Sequence, residues 1–114
     1  MIKAFTSRMA YALLASAIWS SAGAEYNANL SGVVSSVVTY TDSDRIYFRL
    51  QNQPSSNGEC NATYFAIADG TPQNRRNQAF AQLLASKLAN EPVNIGYDNT
   101  GDCVHGFIRV YRVG

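Results

Sequence analysis

The chain is poor in the residues on which most chemistry depends. Its 114 residues include one histidine, two cysteines, three prolines and one tryptophan. Two cysteines, Cys60 and Cys103, with the single His105 cannot supply the closely spaced Cys and His ligands of a zinc site. No metal or other cofactor is expected. Charge is scarce too. Nine Lys and Arg face eight Asp and Glu, for a net charge of +1. That excludes the basic field by which proteins hold nucleic acid. Long hydrophobic runs are missing. The one apolar run near the start, Ala10–Trp19, is shorter than the roughly 20 residues a membrane helix needs. No later stretch could span a bilayer. Repeats and low-complexity segments are absent as well.

The first residues have a different use. Lys3 and Arg8 give a positive start, Ala10–Trp19 is a short apolar core, and Ala22-Gly23-Ala24 is a small-x-small cleavage site. These are the parts of a secretory signal peptide ending at Ala24. Residues 1–24 are therefore assigned to the signal and 25–114 to a single mature domain, either periplasmic or secreted. Removing Lys3 and Arg8 leaves seven bases against eight acids, a mature net charge of −1. It also removes Trp19, the only tryptophan. In an exported chain, two cysteines without a metal motif read as one disulfide, Cys60 to Cys103. Closing so long a loop contributes on the order of 4 kcal/mol in the chain-entropy account. A domain this small sits near the lower limit for a self-sufficient core, so that contribution matters.

Periodicity gives the elements. Leu30–Tyr40 is rich in Val, Ser and Thr. Its VVSSVV run puts valine and serine on both faces, which predicts a bulged strand or one bent between two environments. Thr41–Asp44 is a turn. In Arg45–Leu50 the residues alternate, with Ile46, Phe48 and Leu50 inward and Arg45, Tyr47 and Arg49 outward. Gln51–Glu59 is a loop. Thr63–Ala68 is a third strand, with Phe65 and Ile67 on one face and Tyr64 on the other. Thr71 as N-cap and Pro72 at the first helical position start a helix. Phe80, Leu83, Leu84 and Leu88 form its apolar stripe. Asn90 and Pro92 stop it. Val93, Ile95 and Tyr97 share a face of the next strand, and Asp98–Asp102 is a turn. The last strand runs from Cys103. Val104, Ile108 and Val110 take one face, and Cys103, His105, Phe107, Arg109 and Tyr111 the other. Gly106 marks a bulge or bend.

Strand, strand, strand, helix, strand, strand is the element order of the OB-fold. The expected class is mainly β with one helix, an OB-like five-stranded barrel. A plain α+β sheet with one packed helix is the alternative. The segments RIYFRLQNQP, TYFAI, VNIGYDNTGDC and GFIRVYRVG, with Cys60 and the capped helix between them, resemble a family of small secreted bacterial proteins. That family has one disulfide and no established activity. In strand order, size and export the chain is also similar to the B subunits of subtilase-cytotoxin-type and pertussis-like toxins. That second resemblance implies an OB-fold, a ring of identical subunits and binding of cell-surface glycans. No sugar-contacting residue of those toxins is carried over to a position here.

Three constellations stand out. His105 beside Asp98 and Asp102 suggests a general base, but no nucleophile accompanies it, and a sheet histidine without chemistry is the better reading. Asp98, Asn99 and Asp102 offer oxygens to calcium, but they lack the ligand series of an EF-hand loop and read better as a turn. Arg45, Tyr47, Arg49, Tyr64, Phe107, Arg109 and Tyr111 form the strongest group. Each lies opposite the apolar row of its strand, and rings with arginines stack on sugars and partner proteins. They equally pair across strands to cover a sheet. The expected function is a non-enzymatic binding module, glycan-binding like the toxin B subunits. The alternative is a structural or inhibitory protein that covers another secreted protein. A second copy, a glycan or a secreted protein are the expected partners. Since Tyr47 and Arg109 belong to no inner row, truncating either is expected to cost within about 0.5 kcal/mol.

Overall fold

A computed structural model describes residues 26–114. The signal peptide assigned to residues 1–24 lies outside the described residues. Among the described residues, no helix is long and apolar enough to cross a membrane.

The elements run β1 (Ala28–Gly32), β2 (Val34–Thr39), β3 (Ile46–Leu50), β4 (Asn61–Ile67), α1 (Gln73–Ala89), β5 (Val93–Tyr97), β6 (Cys103–Val104) and β7 (Phe107–Val113). The bent first strand is thus β1 and β2, broken at Val33. Its halves do go to different environments: β1 pairs with β5 and β2 with β3, both antiparallel. The sheet path is β1-β5-β7-β4-β3-β2, and β4 with β7 is its parallel pair. The two ends of the path are consecutive in the chain, so the sheet curls back on itself. This is the expected OB-like architecture, mainly β with one helix.

The inner rows that alternation assigns to β3, β4, β5 and β7 form the core. Phe48, Phe65, Leu83, Ile95 and Ile108 are fully buried, with Val34 and Leu50 nearly so. Phe48 stacks on Phe65 at 5.4 Å, and Tyr97 meets Phe65 edge-on at 5.3 Å. The break at Val33 would strand the buried amide of Val34. The Ser86 hydroxyl on α1 accepts from it at 3.1 Å and donates to the Glu91 carbonyl at 2.6 Å. One buried serine therefore fixes the helix against the bend.

The helix begins one residue later than expected. Pro72 is the N-cap, with no side-chain cap bond, so Thr71 does not cap it. The proline ring has already set φ at −54°, and its carbonyl accepts from the amide of Arg76 at 3.0 Å. Asn90 ends the helix in the left-handed conformation, as expected. The predicted apolar stripe is only partly buried. Leu83 is inside, but Leu84 is 37% and Leu88 77% exposed. The face of α1 against the core is Ala79, Phe80, Leu83 and Ser86, which leaves Leu84 and Leu88 toward solvent.

The last strand also differs. Cys103–Val113 is not continuous: His105 and Gly106, both with positive φ (53° and 83°), form a two-residue turn between β6 and β7. Two positive φ values are the mark of a type I′ hairpin, which matches the strand twist. Gly106 is therefore a turn residue, not a bulge. The turn also changes the facing. Cys103 lies opposite Ile108 and Val104 opposite Phe107, so Cys103 is on the inner face and Val104 on the outer. A register shift does occur, but between Gly96 and Tyr97 of β5, where Tyr111 of β7 is the extra residue.

Cys60 and Cys103 are bonded, with Cα atoms 5.4 Å apart and a sequence separation of 43. The bond joins two loops that touch elsewhere. The buried Asn57 amide donates to the Asp98 carbonyl at 2.9 Å. Gly58 lies against Gly101, where a β-carbon on Gly58 would come within 2.8 Å of the Gly101 Cα. The disulfide and the absence of a membrane-spanning helix among the described residues are compatible with export.

Candidate functional site

The outer face of β3, β4 and β7 collects rings because alternation turns Tyr47, Tyr64 and Phe107 away from the core. Tyr47 is the hub. Its ring lies 4.9 Å from Phe107, 6.1 Å from Tyr64, 5.6 Å from Tyr40 and 6.3 Å from His105. Phe107 and Tyr64 meet edge-on at 5.6 Å. Such pairs contribute about 0.5–1.5 kcal/mol each beyond burial. The consequence corrects the expectation for Tyr47. It faces outward but is only 5% exposed, because its neighbours on the same face are rings and not water. Tyr47 is a structural residue of a second, outer hydrophobic cluster.

The accessible ring is Tyr40, 47% exposed at the end of β2. It borders a cleft of about 410 Å³ lined by Tyr40, Asp42, Ser43, Arg45 and Tyr47. The loop that carries these groups is held from the helix. The Arg76 guanidinium is 3.2 Å from the Asp44 carboxylate, donates to the Asp44 carbonyl at 3.3 Å, and donates through Nε to the Thr71 carbonyl at 2.8 Å. Arg45 leans toward Asp69 at 3.9 Å, a weak pair between two exposed groups. The cleft thus offers an aromatic face, a hydroxyl, a carboxylate and a guanidinium on a positioned loop.

The seven residues singled out in the sequence do not form one patch. Tyr47, Tyr64 and Phe107 come together. Arg45 lines the cleft beside Tyr40 and Tyr47. Arg49 donates to the Thr63 carbonyl at 2.8 Å and so bridges two strands. Arg109 and Tyr111 form a separate group around Asp102. Arg109 Nε is 3.3 Å from Asp102 Oδ1, the Tyr111 hydroxyl donates to Asp102 Oδ2, and Arg109 sits 5.7 Å from the Tyr111 ring centroid. Tyr111 also stacks on Tyr26 at 6.3 Å.

Residues left out of the outward group are Tyr40, Asp69 and Arg76, while alternation did place His105 on the outer face with Phe107. Asp69 lies in a turn and Arg76 on the helix, where period two says nothing, and Tyr40 ends the expected strand, whose VVSSVV run sets no single face. His105 occupies the β6–β7 turn. Its Nε2 accepts from the Asp69 amide at 3.4 Å and lies 3.7 Å from Asp69 Oδ1. This places it beside Asp69, not beside Asp98 or Asp102 as expected of a catalytic pair. At the Asp98–Asp102 turn, Asp98 accepts from the Thr100 hydroxyl and from the Thr100 amide at 2.8 Å. These bonds, the hydroxyl first, hold its carboxyl below the usual value of 3.8. Asp102 is engaged with Arg109 and Tyr111 instead. Among the described residues, no cluster of three or more His, Cys, Asp or Glu could hold a metal ion.

Compared with known proteins, the chain matches no family model, no curated protein and no solved structure.

Proposed function

We propose that this chain is an exported, non-enzymatic binding module that captures a glycan at the Tyr40–Arg45 loop. The observation that carries the reading is the cleft beside the ring cluster. A sugar is bound by an aromatic ring against its apolar face and by polar groups that pair its hydroxyls. Tyr40 supplies the first, and Asp42, Ser43 and Arg45 the second. The cluster behind them, centred on the buried Tyr47, acts as a rigid backing and limits the ordering cost of binding. The position also supports it. OB-folds commonly take oligosaccharides on the face of their second and third strands and on the loop joining the first two. Here those are β3, β4 and residues 40–45. The similarity to toxin B subunits points to the same ligand class, and to self-association.

The experiment is a glycan array probed with the oxidised, secreted protein and with its Tyr40→Ala variant. Retention of a defined set of glycans by the native chain, lost in Tyr40→Ala at unchanged melting temperature, is expected. Equal retention by both, or none by either, rejects the reading.

A further inference from the structure

The loop beside the disulfide carries a chemically unstable pair of residues. Asparagine is thermolabile. The nitrogen of the following residue can attack its side-chain carbonyl carbon and close a succinimide ring. A side chain on that following residue hinders the attack, and glycine, which has none, allows it most readily. Asn57 is the asparagine of this chain that precedes a glycine, Gly58.

The fold holds this pair still. Asn57 is buried. Its side-chain nitrogen donates to the Asp98 carbonyl at 2.9 Å, and its own carbonyl accepts from the Cys60 amide at 3.0 Å. Gly58 has a φ of 58° and lies against Gly101. Ring closure needs the Asn57 side chain to leave the Asp98 carbonyl and turn back toward the Gly58 nitrogen. It therefore needs the two loops to part. The Cys60–Cys103 bond joins those same two loops. A group of this kind reacts from a locally opened state, at a rate set by how often that state forms. The disulfide keeps that state rare.

We propose that Asn57-Gly58 is a deamidation site guarded by the disulfide, so that reduction of the chain becomes an irreversible covalent change. An external thiol reduces Cys60–Cys103 to two thiols and is itself oxidised to a disulfide. The loops then part. The Gly58 nitrogen bonds to Asn57 Cγ, the Cγ–Nδ2 bond breaks, and ammonia leaves with the proton of the Gly58 amide. Water opens the ring at either carbonyl and leaves an aspartate or an isoaspartate at position 57. Neither product docks as the asparagine did. A carboxylate would meet the Asp98 carbonyl, acceptor against acceptor, in a buried place where an unpaired charge is costly. The isoaspartate also lengthens the backbone by a methylene. Both oppose return of the loops and closure of the disulfide. The site is independent of glycan capture.

The test compares the oxidised chain with the same chain held reduced by excess dithiothreitol, both at mildly alkaline pH, by peptide mass spectrometry. No variant is needed, so folding of a mutant is not at issue. Deamidation at Asn57 should be at least about tenfold faster in the reduced chain. Asn61 and Asn99, which do not precede a glycine, should stay intact over the same time. Removing the reductant then separates the chains by age. Freshly reduced chain should regain the disulfide, and aged chain only in proportion to its intact Asn57. Equal deamidation in both forms, none included, would overturn the proposal, as would Asn99 reacting as fast as Asn57. So would full recovery of the disulfide by chain already modified at position 57. Fresh chain that fails to re-oxidise would overturn it too, since reduction would then be irreversible without deamidation.

Discussion

At the scale of single residues, facing and exposure are separate properties. Tyr47 and Tyr40 show this most clearly. Tyr47 points outward yet has rings from Tyr40, Tyr64, Phe107 and His105 around it and is 5% exposed. Its truncation removes most of the contacts of the outer cluster. Tyr47→Ala is expected to cost about 3 kcal/mol, close to a buried aromatic in any core. Ile108→Ala, fully buried on the inner face, should fall in the range of about 2–5 kcal/mol. Tyr40→Ala should cost less than about 1 kcal/mol. Urea unfolding of the three variants checks the ranking. A Tyr47→Ala protein as stable as Tyr40→Ala would show that the outer rings do not pack as described. Asp98 gives a second residue-scale test. Its folded carboxyl lies below 3.8 because Thr100 donates to the charged form. Such a group favours folding above its unfolded value, and the contribution disappears as pH falls through the lower, folded value. Acid unfolding should therefore steepen below about pH 3.8 in the native chain. Thr100→Val removes the hydroxyl donor. It should raise the Asp98 midpoint in a carboxyl-detected NMR titration, and an unmoved midpoint would rule this cause out.

At the scale of elements, the loops carry as much of the architecture as the strands do. The Cys60–Cys103 bond, the Asn57 amide and the Gly58–Gly101 contact fasten residues 57–60 to residues 98–103. Breaking the disulfide frees a long loop and is worth about 4 kcal/mol in the chain-entropy account. For a domain this small, that predicts a fall in melting temperature on the order of 20 °C on reduction, measured by calorimetry with and without reductant. A shift of only a few degrees would mean that the loop contacts suffice without the bond. The inner rows of the strands were readable from the sequence. In β3, Ile46, Phe48 and Leu50 alternate with Tyr47 and Arg49, and the inner row follows directly. The bend at Val33 was readable too, since valine on both faces of one strand requires two environments. The β6–β7 turn was not. His105-Gly106 lies inside an apparently continuous run, and a two-residue turn reverses the chain without any polar cluster to mark it. With the turn unseen, Cys103 and Val104 exchange faces. The helix stripe failed for another reason: spacing finds the apolar residues of α1 but cannot say how wide a surface lies beneath them. The ring cluster was legible only as a set of outward positions. Its meeting point depends on β3, β4 and β7 being neighbours, and the β4–β7 pairing is parallel and remote in sequence.

At the scale of the whole molecule, two surfaces are separated by a small, stapled core. The Tyr40–Arg45 loop sits over the outer ring cluster, and a separate groove of about 490 Å³ lies between α1 and β7. The proposed activity is capture of a glycan at the first. The most direct measurement is amide shift mapping of the oxidised, ¹⁵N-labelled domain with a glycan retained on the array. Shifts that saturate and cluster at residues 40–47, with weaker ones at Tyr64 and Phe107, are the predicted result; a glycan that shifts only residues away from this loop, or no glycan that shifts any, would contradict it.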